Sequence, residues 1–102
     1  MSRELLDPVA VQQGLASLHP DWRGSTQSLT RSIEFESFLT AVDFIDQLAP
    51  RCEELDHHPD LTLRWRRVGV SLSTHSAGGV TGLDLDLAAA VDEIAALLPH
   101  AG

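Results

Sequence analysis

Between Leu29 and Leu98 the apolar residues of this chain change period three times, and that succession restricts the architectures open to it. Leu29, Ile33 and Phe35 alternate with Thr30, Ser32 and Glu34, and Arg31 falls on the apolar side, the pattern of a half-buried strand. From Phe38 the steps become three and four residues, through Ala41, Val42, Ile45, Leu48, Ala49, Cys52 and Leu55. They draw one apolar stripe along a helix of about four to five turns. Pro50 removes a hydrogen bond and clashes with the preceding turn, so a kink or a break is predicted there. Leu61, Leu63 and Trp65 alternate next, followed by Val68, Val70 and Leu72 on the opposite parity. A turn or bulge around Arg66 and Arg67 is therefore expected between two paired strands. Leu83, Leu87, Val91, Ile94 and Leu98 return to helical spacing behind Thr81 and Asp84, which resemble a capping box.

Upstream, Asp7-Pro8 supplies an N-cap and a first-turn proline, and Val11, Leu15 and Leu18 predict a short helix over 8–18. His19-Pro20 ends it. Trp22 opens a short strand, and Gly24 to Gln27 read as the turn of a hairpin. The order is helix, two strands, helix, two strands, helix. It predicts an α+β two-layer sandwich in which three helices stack on one face of a four-stranded antiparallel sheet. With 102 residues and no repeat or linker, the chain is expected to be a single domain over 1–102. A domain of this size buries only about 60–70% of its unfolded surface, which makes oligomerisation a natural supplement.

The formal charge of −8 argues against a surface built to neutralise phosphates, so neither nucleic acid nor an anionic membrane is an expected partner. Apolar runs stay well short of the roughly 20 residues of a membrane span. Met1-Ser2-Arg3-Glu4 lacks the apolar core of a signal peptide, and a cytoplasmic location is the expectation. Cys52 is the single cysteine, which excludes an internal disulfide and a two-cysteine zinc ribbon.

Three histidines are candidates for chemistry: the adjacent His57 and His58, and His75 at the end of the last strand. Histidine has the unperturbed pKa nearest neutrality, which suits general acid–base work. Glu53, Asp56 and Asp84 lie close in sequence or open the next element, where carboxylates can orient imidazoles. The same residues have plainer readings. A histidine pair before a proline also suits a solvated helix end, and Asp84 taken alone reads as a helix cap. Trp22 and Trp65 read as core, and Arg64, Arg66 and Arg67 as a solvated hairpin tip or a docking point for an acidic partner. Cys52, His57, His58 and His75 include four possible zinc ligands. Cys52, however, lies on an apolar stripe, and adjacent histidines tend to point apart. No metal site is expected.

The run Glu53-Glu54-Leu55-Asp56-His57-His58-Pro59 resembles the signature of the pterin-4a-carbinolamine dehydratases. In that signature an acidic residue precedes His-His-Pro by four positions, followed by an aromatic, an alternating strand ending in Thr-His, and an aspartate at the next helix. Trp65, Val68, Val70, Leu72, Thr74, His75 and Asp84 stand in those places. Leu29, Arg31, Ile33 and Phe35, followed by Phe38, Ala41 and Phe44, resemble the family's strand-to-helix segment, and Trp22 its tryptophan. The resemblance spans about Trp22 to Ile94. Pro50 and Gly69 are its unexpected features.

This resemblance implies three helices against a four-stranded antiparallel sheet, assembled as homodimers or homotetramers. It implies a dehydratase that converts 4a-hydroxytetrahydropterin to quinonoid dihydropterin, in the recycling of tetrahydropterin for an aromatic amino acid hydroxylase. Pterin would be the substrate, with no cofactor or metal. His57, His58 and His75 would handle the protons, while Glu53, Asp56, Pro59 and Asp84 would orient them or line the site. The alternative on the same fold is a non-catalytic protein-interaction module, a dimerisation cofactor.

Overall fold

A computed structural model describes residues 3–101. Helix α1 (Pro8–Ala16) starts where Asp7 accepts from the Ala10 N–H and Pro8 fills the first turn, and it is two residues shorter than its apolar spacing suggests. Strands β1 (Arg23–Gly24) and β2 (Leu29–Glu34) form the first hairpin. Helix α2 (Phe38–Leu55) follows, capped by Ser37, then β3 (Asp60–Arg64), β4 (Arg67–Leu72), a 3-10 turn (His75–Ala77) and α3 (Gly82–Ala96). The four strands are antiparallel in the order β1-β2-β4-β3.

The register explains which side chains meet. Leu29 pairs with Leu72, Arg31 with Val70 and Ile33 with Val68, so the strand periodicities of β2 and β4 place one apolar sheet face together. Ala41, Phe44 and Leu48 of α2 and Leu87, Val91 and Ile94 of α3 complete the core. Burying such side chains contributes about 1.5–3 kcal/mol each, which is what holds helices to sheet. Arg31, on the buried face, is neutralised by Asp92 of α3 at 2.6 Å, and Asp92 also accepts from the Trp22 indole at 2.7 Å. The opposite sheet face is polar, with Thr30, Ser32, Thr62 and Ser71 grouped around Gly69. A Cβ at Gly69 would lie 2.5 Å from the Thr62 hydroxyl, so glycine leaves room for its cross-strand neighbour.

Three sequence expectations are corrected. Helix α2 continues through Pro50, so of the two expectations there the break is the one overturned; Pro50 and Asp46, whose carbonyl loses its partner, are both exposed, so water can satisfy that group. The buried stripe of α2 is centred on Ala41, Phe44, Leu48 and Cys52, leaving Phe38 and Ala49 exposed. Trp65 is not core: it is 68% exposed in the two-residue turn between β3 and β4, with φ +52° and the Arg66 guanidinium 4.3 Å from its ring centre. Leu63 is also exposed, because β3 is an edge strand that the helices scarcely cover.

Candidate active site

The end of α2 delivers the first histidine. Asp56 takes a left-handed conformation, φ +48°, which aspartate tolerates better than most residues. Its N–H donates to Glu53 O at 3.2 Å, while the His57 N–H donates to Cys52 O at 3.0 Å, the two hydrogen bonds of a Schellman turn. The chain thereby reverses, and the His57 ring enters the protein while His58 stays outside. Asp56 acts here through its backbone; its carboxylate is solvent-exposed and faces Arg3 at 4.0 Å rather than an imidazole.

His57 is 7% exposed and its Nε2 lies 2.6 Å from Oδ1 of Asp84, which is fully buried. The other carboxylate oxygen of Asp84 accepts from the Thr74 hydroxyl at 2.8 Å and the Thr81 N–H at 2.9 Å. Asp84 thus caps α3 and holds His57 at once, so the two readings of this residue are one structure. A carboxylate only accepts, so the shared proton sits on Nε2 of His57, and in the neutral ring Nδ1 is the nitrogen that keeps the lone pair. Nδ1 has no hydrogen-bond partner among the described residues and is not sealed from solvent.

The exposed His58 pairs through Nε2 with Glu53, five residues back on α2. Both border a half-open trough of about 270 Å³ whose other walls include Leu48, Cys52, Pro59 and Leu61. Burial, and secondarily Glu53, pushes the Cys52 thiol above its ordinary value, so it packs there as an apolar group. His75 opens the 3-10 turn, exposed, one residue beyond Thr74. A wider hollow of about 470 Å³ on the polar sheet face touches none of the histidines; chemistry rather than size places the candidate site at the α2–β3 junction. Among the described residues no three His, Cys, Asp or Glu side chains converge as metal ligands. In sequence Thr74 is one member of a motif and Thr81 a helix cap; their burial side by side appears only in three dimensions.

The fold and this histidine–carboxylate set define an α+β protein with a buried imidazole anchored by a buried carboxylate. The family profile described as Pterin 4 alpha carbinolamine dehydratase matches residues 4–94, and the chain belongs to that family. A relative from Nocardia farcinica, named provisionally as a pterin-4-alpha-carbinolamine dehydratase, is 45% identical and aligns over 93% of this chain and 99% of its own length. One from Acidobacterium capsulatum, named in the same provisional way, is 39% identical over 87% of this chain and 96% of its own. The crystal structure of a transcriptional coactivator/pterin dehydratase from Brucella melitensis superimposes with a TM-score of 0.84 at 38% identity, covering 88% of this chain and 97% of that one. A pterin dehydratase-like protein identified as a RuBisCO assembly factor in the alpha-carboxysome gives a TM-score of 0.64 at 28% identity, over 76% and 92% of the two chains. No helix among the described residues is long and apolar enough to cross a membrane.

Proposed function

We propose that this protein dehydrates 4a-hydroxytetrahydropterin to quinonoid dihydropterin in the cytoplasm, as a homo-oligomer and without a metal or redox cofactor. In the reaction the C4a–O bond breaks, the hydroxyl leaves as water after taking a proton, and N5 loses its proton as the C4a=N5 bond forms. No electrons are exchanged with a cofactor, so the requirement is for one proton donor and one acceptor near neutral pH. The observation that carries the reading is the His57 ring, fixed through Nε2 by buried Asp84 with Nδ1 left free. His58, polarised by Glu53, and His75, beside Thr74, supply the further proton-handling groups. The apolar trough next to His58 suits the face of a flat heterocycle.

His57→Ala and His75→Ala test the assignment. Each is expected to lower turnover by about 10²–10⁴-fold while fold and assembly persist. Wild-type turnover in both variants would remove these histidines from the chemistry. A second reading, a protein-interaction module, draws on the relative identified as an assembly factor and on the exposed Leu39, Trp65 and Leu97. It predicts that the histidine variants retain whatever activity in assembly the wild type has.

A further inference from the structure

Thr74 and Thr81 are almost fully buried, and their hydroxyl oxygens lie 2.8 Å apart. A valine of nearly the same shape at either position would avoid burying a polar group, which is costly unless the group is used. The proton inventory shows the use. Thr74 has one hydroxyl proton, and Asp84 Oδ2 at 2.8 Å can only accept, so that proton goes to Asp84. The Thr81 hydroxyl must then donate to the Thr74 oxygen, while its own oxygen accepts from the Leu83 N–H at 3.3 Å. A directed chain results, from the first turn of α3 through two hydroxyls to the carboxylate and on to His57.

Thr81 has a second duty as the N-cap of α3, but the hydroxyl of Thr74 has none. Among the described residues its partners are Thr81 and Asp84 alone. Meanwhile the Thr74 carbonyl accepts from the Ala77 and Gly78 N–H groups, both at 3.0 Å, and its N–H donates to Gly79 O at 2.8 Å, closing the turn that carries His75. One residue thus fixes the backbone under His75 with its main chain and the anchor of His57 with its side chain.

We propose that Thr74, with Thr81 behind it, is the positioning residue of the site: its hydroxyl fixes the Asp84 carboxylate and, through it, the Nε2 hydrogen bond that sets the His57 ring. The inference rests on the dehydratase reading only for its kinetic consequence. Thr74→Val removes the donor and keeps the shape, whereas Thr74→Ser keeps the donor. The Nε2–H proton of His57, followed by proton–nitrogen-15 NMR of histidine-labelled full-length protein, reads that hydrogen bond without any substrate, alongside turnover and its pH profile. In Thr74→Val the carboxylate still accepts from Nε2, but with one of its two Oδ2 donors gone the Nε2–H resonance is expected to move upfield or broaden by exchange. Turnover is expected to show kcat reduced about tenfold or more, KM little changed and the pH–rate profile displaced; an isolated charge-assisted hydrogen bond carries that much. Thr74→Ser is expected to restore the resonance and to bring turnover back to within about threefold. A Thr74→Val protein with the wild-type Nε2–H resonance would overturn the proposal, as would failure of Thr74→Ser to rescue a folded protein. Should the resonance change in a chain whose wild type does not accelerate dehydration, the positioning role stands and the dehydratase reading falls.

Discussion

Replacing Asp84 by asparagine probes the anchored imidazole with the least change of shape. The amide has one acceptor oxygen and one donor nitrogen where the carboxylate has two acceptors. Thr74 and Thr81 both donate to the same oxygen, so the amide oxygen is expected to turn towards them and the NH2 towards His57. Nε2 must then accept, which moves the imidazole proton to Nδ1, the nitrogen that the wild type leaves free. Three charge-assisted hydrogen bonds become neutral ones, at a cost of about 1 kcal/mol each, or about 3 kcal/mol in total. A small domain has about 5–15 kcal/mol of stability, so the variant remains folded. Turnover should fall by about 10²–10⁴-fold, because the base nitrogen no longer has a lone pair. Urea unfolding and dehydration of freshly generated 4a-hydroxytetrahydropterin, corrected for the spontaneous rate, measure the two effects. A folded Asp84→Asn protein that turns over at the wild-type rate would refute the role of Nδ1.

Other regions offer independent tests. Asp92→Ala strips the buried Arg31 of its counter-ion and Trp22 of its acceptor, and is expected to cost about 3–5 kcal/mol in urea unfolding; under 1 kcal/mol would contradict the ion-pair reading. Cys52, its thiol pushed up by burial, should react far more slowly with iodoacetamide at pH 7.5 than a free thiol and become fast only in denaturant; rapid native labelling would place it at the surface. Phe44→Ala should cost about 3–5 kcal/mol, whereas Trp65→Ala at the exposed turn should stay within about 0.5 kcal/mol, and equal costs would contradict the placement of the two aromatics.

The strand and helix periods carried most of this fold. Leu29, Ile33, Val68, Val70 and Leu72 share the sheet face that their alternation predicts, and Thr81 with Asp84 forms the expected capping box. Alternation misled at β3, since Leu63 lies on an edge strand and Trp65 in the turn that follows it, and pattern alone does not tell an edge or a turn from a centre. The helix does not break at Pro50, because a lost hydrogen bond on a solvent-facing helix side is cheaper than propensity suggests. At the site, the residue types were legible and their pairing was not. Nothing in the order His57-His58 says which ring turns inward; a left-handed Asp56 decides it. Nor does spacing reveal that Asp84 serves a helix end and an imidazole together, since the separation of 27 positions from His57 to Asp84 is closed only by the tertiary fold.

The proposed function stands or falls on whether this chain accelerates the loss of water from 4a-hydroxytetrahydropterin. Purified protein at catalytic concentration, mixed with the freshly generated carbinolamine and followed by absorbance, measures that directly. The expected result is a rate proportional to protein concentration and well above the spontaneous reaction. A rate indistinguishable from the spontaneous one, in protein shown to be folded and assembled, would contradict it and favour the interaction module.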